Sequence, residues 1–268
     1  MKKYLFTITQ GRTGTHYFSH FLQNNVPNIK SHQELIAFGS YGVDTPGTSV
    51  LTHFNAKGNT PLVKRFWRQK LSRIARRDDP FYAETSHVLA KAGLMENLSY
   101  LGKDAQIFIV ILKRDVKKIL TSLVVRNDML SVADRLVWFL MPIYPKNILE
   151  SMQFSLQGLD GQRLWYIYEM SARAEYYKIK FRNKKNIKFI DLDITQLNTP
   201  KSSQKFLNEI GVKKNLQDIV FTEPSNTSTR DVNIPKEIKK RVNKVIQLIY
   251  CDPKMCAKNH IKLDKSFN

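Results

Sequence analysis

Strand and helix signals alternate along the whole chain, which predicts an α/β protein with a central, mostly parallel sheet. Three observations carry this. The run Gln106-Ile107-Phe108-Ile109-Val110-Ile111-Leu112 is apolar at odd and even positions alike, as a strand buried on both faces must be. Other runs rich in β-branched and aromatic residues recur with helix-length stretches between them, the spacing that parallel crossovers need. The first of these, residues 4–9, passes through two glycines directly into an amphipathic helix.

That opening stretch is the most informative. Tyr4 to Thr9 reads as a buried strand. Gly11 and Gly14 bracket a turn that needs open backbone space. From Thr15 onward Tyr17, Phe18, Phe21 and Leu22 fall at helical spacing, and Asn24-Asn25 ends the run. A strand–loop–helix of this kind points backbone N–H groups and a positive helix end at one place, and so makes an anion site. Arg12, Thr13 and Thr15 add a charge and two hydroxyls. The loop is not a Walker A loop, because Gly11 and Gly14 are only three apart and no lysine precedes Thr15. The plainer reading is a glycine-containing βα turn with no ligand.

A second short strand should end near Ser31-His32-Gln33-Glu34-Leu35. On an extended backbone His32 and Glu34 share a face, and both are proton-transfer types; two solvated loop residues is the plainer alternative. Residues 39–60, rich in Gly, Thr, Ser and Asn, read as a long loop that includes His53. A basic amphipathic helix over 61–77 follows, with Leu62, Val63, Phe66, Leu71 and Ile74 on its apolar side. Its cations read first as a solvated surface, with docking on a polyanion as the alternative. Phe81 to Ser86 reads as a strand and its exit loop, and 87–101 as a helix. The strand 106–112 ends at Lys113-Arg114-Asp115, and Ser122 lies eight residues past Arg114 on the next helix. Ligands of open α/β sheets bind at the carboxyl ends of strands, so one phosphate reaches both residues if the loop folds Arg114 back over that helix.

Residues 129–160 are helical at 130–139 and irregular from 142 to 160. Together with 36–80 they are candidate walls of a substrate pocket. The remainder reads as a helix over 162–182, a strand over 187–192, a helix over 202–210 capped by Gly211, a polar loop Pro224 to Arg230, and a last helix from Pro235 at its first position to about Tyr250.

With 268 residues, 42% hydrophobic and 25% charged, the chain suits one large domain with a real core. Its net charge of +20 points to an anionic partner or to a lysine-rich surface. No run is long and apolar enough for a membrane span, and the first residues are too polar for a secretory signal, so a cytoplasmic protein is expected. Cys251 and Cys256 read as two free thiols, since with His260 they lack the spacing and the fourth ligand of a zinc site.

Taken together, the pieces resemble the sulfotransferases that use 3′-phosphoadenosine 5′-phosphosulfate (PAPS). Gln10-Gly11-Arg12-Thr13-Gly14-Thr15 is similar to their 5′-phosphosulfate loop, with Gln10 in place of the usual proline. Phe108 to Leu123, with Arg114 and Ser122 eight apart, resembles their 3′-phosphate motif. His32-Gln33-Glu34 lies where bacterial and tyrosylprotein-type members carry a basic glutamate, and Arg12 leans toward those branches. The stretch from Trp165 through Phe189 to Gly211 resembles the family's closing pattern, although the Arg-Lys-Gly motif of the cytosolic steroid and phenol group is absent. The resemblance spans nearly the whole chain, 1–268, as a single domain. It implies a three-layer P-loop-like fold and transfer of a sulfuryl group to a hydroxyl or amine of a small-molecule acceptor, with release of adenosine 3′,5′-bisphosphate and no metal. A glycan or glycolipid acceptor, with peripheral membrane contact, is the next option. A P-loop-like kinase or nucleotide-binding protein and a non-enzymatic polyanion binder are the rivals; no specific nucleic acid is implied. The resemblance further implies that Gly11, Arg12, Thr13, Gly14, Thr15 and His16 hold the 5′-phosphosulfate, Arg114 and Ser122 the 3′-phosphate, and Asn226, Ser228 and Arg230 a covering loop. Glu34 is implied as base, His32 second, with His16 and His53 behind them.

Overall fold

The computed structural model describes residues 1–34, 45–221 and 234–266, the side chains of 262–266 excepted. Five parallel strands, β1 (Lys3–Ile8), β2 (Ile29–His32), β3 (Phe81–Glu84), β4 (Gln106–Lys113) and β5 (Ile187–Asp193), form one sheet in the order β2-β3-β1-β4-β5. Every pairing is parallel, with Leu5 opposite Ala83 on one side and Phe108 on the other. The fold is thus α/β, with the parallel sheet between two helical layers.

The two-sided apolar strands explain the layering. Tyr4, Phe6, Ile8, Ile107, Ile109 and Ile111 point to one face, and Leu5, Phe108, Val110 and Leu112 to the other. The second face is covered by α1 (Thr15–Asn25), through Phe18, Phe21 and Leu22, and by α9 (Pro200–Glu209), through Phe206 and Leu207. Fully burying each such side chain contributes about 1.5–3 kcal/mol. The first face is covered by α2 (Thr48–Lys57), α3 (Pro61–Arg76), α5 (Val116–Val125), α8 (Gly158–Phe181) and α10 (Lys236–Leu248). Adjacent strands β1 and β4 therefore send their helices to opposite faces. Their exit loops part, and a crevice opens at the carboxyl ends of these two strands.

Several segments differ from the sequence expectation. Residues 48–57, read as loop, form α2, which packs against α6 (Val132–Trp138). The expected helix over 87–101 is broken into 3-10 turns at Leu89–Ala92 and Leu98–Leu101 around a single turn, α4 (Leu94–Asn97). Gly93 causes the break: its φ is +94°, and a Cβ there would stand 2.8 Å from the Phe54 ring. In α3 the cation Lys70 is buried beside Trp67 and Leu71 rather than solvated. Pro235 caps α10 instead of entering it, and a further helix, α11 (Pro253–Ser266), follows.

The irregular stretch after α6 includes one helical turn, α7 (Met152–Ser155). The stretch is held to α8 by Trp165 Nε1, which donates to the Leu149 carbonyl, by Arg173 Nη2, which donates to Asn147 Oδ1, and by fully buried Glu169, which accepts from the Ile148 and Leu149 backbone N–H groups and from Arg173 Nε at 2.6 Å. Backbone donors without a ladder need such a partner. No helix among the described residues is long and apolar enough to cross a membrane.

Candidate functional site

The loop between β1 and α1 has an unusual backbone. Gly11 (φ +82°), Arg12 (φ +57°) and Gly14 (φ +84°) all occupy left-handed conformations, which for a non-glycine residue is uncommon. The result turns the chain sharply into α1, whose first turn has Gly14 at its cap and no capping side chain. The Thr9 and Thr13 hydroxyls meet at 2.5 Å across the base of the loop. Gln10, where the resembled family carries proline, ties the loop to α8: its Nε2 donates to Ser171 Oγ at 3.0 Å, and its carbonyl accepts from Tyr166 Oη at 2.7 Å.

The crevice brings the two suspected anion motifs together. From the end of β4, Arg114 Nη1 donates to the Arg12 carbonyl at 2.9 Å. From α5, Ser122 Oγ accepts from Arg12 Nε at 3.1 Å. Arg12, rather than Arg114, is thus the residue that bridges to Ser122. Asn226, Ser228 and Arg230 lie outside the described residues.

Beside the loop is a cavity of ≈ 290 Å³. One wall is Gln10, Gly11, Arg12 and Thr15; another is Gln33, Glu34 and His87; the third comes from the 126–139 stretch with Arg126, Asp128, Asp134 and Trp138. Glu34 and His87 meet there, with Glu34 Oε1 3.4 Å from His87 Nε2. The pair is close, but among the described residues Oε1 has no aligned hydrogen-bond donor. Loose contacts of this sort tighten in many sites only when substrate is bound. Gly11 packs directly on the His87 ring, since a Cβ there would lie 3.3 Å from it. Wider depressions occur between β5 and α9 (≈ 680 Å³) and at the amino end of β4 (≈ 380 Å³), but neither holds an acid–base pair near an anion loop.

Burial sets the electrostatics. It pushes the Glu34 carboxyl above its ordinary range, while Lys91, the His87 backbone N–H and Arg12 pull it back. Burial, then Lys91 and Arg12, keep His87 well below the usual imidazole value. Asp128 is raised, again by burial first, with Arg12 and Arg126 opposing. A raised carboxyl beside a neutral imidazole is a suitable pair for taking a proton near neutral pH.

Not every sequence candidate is in the cavity. His32 packs its ring against Tyr82 with centroids 5.6 Å apart, and burial followed by Arg77 lowers its pKa. His16 faces His20, and His53 sits on α2 with Nδ1 2.9 Å from the Ser49 carbonyl. Conversely, His87, Lys91, Asp128, Trp138 and Tyr166 were not singled out from sequence. The signal for His87 was present: Glu84-Thr85-Ser86-His87 leaves the carboxyl end of β3, and the carboxyl ends of β1 and β4 are what mark Arg12 and Arg114. Cys251 and Cys256 are free thiols with Sγ atoms 3.8 Å apart, and burial pushes Cys251 up to about 12. No family model, curated protein or solved structure matches this chain, so its chemistry is argued from its own residues.

Proposed function

We propose that this protein is a PAPS-dependent sulfotransferase acting on a hydroxyl or amine of a compact acceptor, with the reaction set in the cytoplasm. The observation that carries the reading is the convergence of Arg12, Arg114 and Ser122 at the β1–β4 crevice, one side-chain length from a cavity that holds Glu34 and His87. These residues fit an anionic donor with two phosphate groups: an uncapped helix start and two arginines offer charge-assisted donors at separate points. The donor supplies an activated sulfuryl group, and the chain does the rest. Backbone N–H groups of Thr13 to His16 and the Thr15 hydroxyl would hold the 5′-phosphate, while the buried Thr13 hydroxyl, engaged with Thr9, braces the loop from below. Arg114 and Ser122 would hold the 3′-phosphate. Arg12 would exchange its bond to Ser122 for the sulfuryl oxygens, where charge spreads during in-line displacement. Glu34, backed by His87, would take the acceptor's proton, and His32, outside the cavity, gives way to it.

A cavity of ≈ 290 Å³ suits one small acceptor and not a nucleotide beside it. Its mixture of Trp138 with Asp128 and Gln33 supports a polar acceptor, a metabolite first and the terminal unit of a glycan second. For the latter, α3 offers exposed Lys64, Arg65 and Arg68 and contains no acidic residue, a face suited to an anionic surface.

The test is calorimetric titration with adenosine 3′,5′-bisphosphate without metal, on wild type and Arg114→Ala. The proposal expects binding that weakens about 10- to 100-fold in the variant, the loss of one charge-assisted contact. No binding by the wild type, or binding of ATP·Mg instead, would overturn it in favour of a kinase-like reaction.

A further inference from the structure

A buried polar chain runs behind the cavity, and proton removal by Glu34 alone does not account for it. Lys91 is completely buried. Its Nζ lies 2.8 Å from His87 Nδ1 and 2.9 Å from Tyr166 Oη, and it also contacts the Trp138 carbonyl. Tyr166 already donates its proton to the Gln10 carbonyl at 2.7 Å. Across the imidazole, His87 Nε2 faces Glu34 Oε1 at 3.4 Å.

We propose that Lys91 is a positioning residue that holds His87 in the tautomer with its proton on Nε2, so that the ring turns an N–H rather than a lone pair toward Glu34 and supports that carboxylate in its ionised form. The value of the device to the reaction rests on the reading of Glu34 as the base; the tautomer itself does not.

The argument is one of donors and acceptors. A carbonyl can only accept, and Tyr166 Oη, its proton committed, can only accept as well. An ammonium has three N–H groups and no lone pair. It satisfies both of these and His87 Nδ1 together. Nδ1 is then an acceptor, and the single proton of a neutral ring must sit on Nε2, toward Glu34. The same protons have one other arrangement. In it Lys91 gives a proton to Nδ1 while Nε2 gives its proton to Glu34 Oε1, so ammonium and carboxylate become amine and carboxylic acid with no change in net charge. Glu34 is useless as a base in that form. Burial is the largest influence on both groups and favours the neutral pair, and Arg173 adds to it at Lys91; against this the two charges support each other, and the His87 backbone N–H and Arg12 favour the Glu34 carboxylate. Tyr166 links Lys91 to the Gln10 carbonyl, so the lock is anchored to the same loop that carries Arg12.

The experiment is ¹⁵N NMR of the full chain labelled at histidine, with His87→Gln used to assign the His87 signal among the six histidines. Near pH 7.5 the wild type should show a bare Nδ1 and a protonated Nε2. Lys91→Met should lose this single-tautomer pattern. Lys91→Gln, whose amide still offers an N–H to Nδ1, should keep it, a rescue that a purely space-filling role for Lys91 does not predict. A proton on Nδ1 in the wild type, or a pattern indifferent to Lys91→Met, overturns the proposal. If Lys91→Met fails to fold, the wild-type and Lys91→Gln spectra decide. Titration of the same samples with adenosine 3′,5′-bisphosphate separates the two ideas. Binding with an indifferent tautomer sinks the lock and spares the donor; a Lys91-dependent tautomer without binding does the reverse.

Discussion

Two buried lysine–glutamate clusters lie on the same face of the sheet, at the carboxyl end of β3, and they are built differently. In the first, Lys70 Nζ contacts both oxygens of Glu84, at 3.0 and 2.9 Å, and Tyr82 Oη donates to Oε2 at 3.0 Å. Lys70 is 2% exposed and Glu84 0%. The charges touch directly and nothing opens on solvent. In the second, the His87 ring is inserted between Lys91 and Glu34, and the glutamate end lines a cavity. Direct pairing makes a fixed ion pair, suited to holding α3 on the sheet. An interposed imidazole holds the lysine away from the glutamate and leaves the carboxyl facing the cavity, suited to chemistry. The contrast separates structural burial of charge from functional burial better than burial itself does, because the lysine of each cluster is buried.

The largest expected effect comes from breaking the direct pair. Glu84→Ala should destabilise the protein by about 3–5 kcal/mol in urea unfolding, because it strands the Lys70 charge. The double variant Lys70→Met/Glu84→Met should cost much less than the sum of the single changes, and additive costs would remove the ion-pair account. Glu34→Gln should do the opposite. It should leave the unfolding midpoint at neutral pH unchanged or raised, because a carboxylate whose ionisation burial opposes is replaced by a neutral amide, yet lower the proposed sulfuryl transfer by about 10²–10⁴-fold, the usual worth of a positioned base. A variant that loses stability and keeps activity would reverse the assignment of the two clusters. Gly11→Ala is a smaller perturbation. The left-handed backbone should cost about 1–2 kcal/mol, and the new methyl presses on the His87 ring at 3.3 Å, so the His87 ¹⁵N signals should shift while the Lys70–Glu84 coupling is unaffected.

The smallest effect is in the pH profile. His87 is held well below 6.5 when folded. Below pH 6.5 the unfolded chain therefore binds a proton that the folded chain refuses, and stability falls as pH drops through that range. Glu34 has the opposite sign. Its folded pKa is raised above 4.5, so the folded chain holds its proton longer, and stability falls as pH rises from 4.5 through the folded value. His87→Gln should flatten the acid side of the urea-midpoint profile between pH 5 and 6.5, and Glu34→Gln should relieve the decline that begins above pH 4.5. Profiles that superimpose on wild type would show that neither group is perturbed.

Much of the fold was legible because it rests on local or periodic signals. The β1–α1 loop announced itself through Gly11 and Gly14, whose backbone no other residue adopts easily. The strand 106–112 announced itself through apolar residues on both faces. The loop at 39–60 was misread because polar residues such as Thr48, Ser49 and Asn55 tolerate a helix that is stabilised from outside, by packing of Val50, Leu51 and Phe54. The helix expected at 87–101 failed because Gly93 answers to a contact with Phe54, far away in sequence, which no local pattern records.

The candidate site divides along the same line. Arg12, Glu34, Arg114 and Ser122 could be marked from sequence, since a strand end followed by a helix already says where an anion or a base would sit. The partnership of Glu34 with His87, the burial of Lys91, and the bridge from Arg12 to Ser122 were decided by the tertiary structure. A lysine in the sequence is a surface charge by default. Only a fold that brings a tyrosine, a carbonyl and an imidazole from three separate segments around one Nζ turns it into a buried donor, because the cost of desolvating that charge is met by contacts 4, 47 and 75 residues away along the chain.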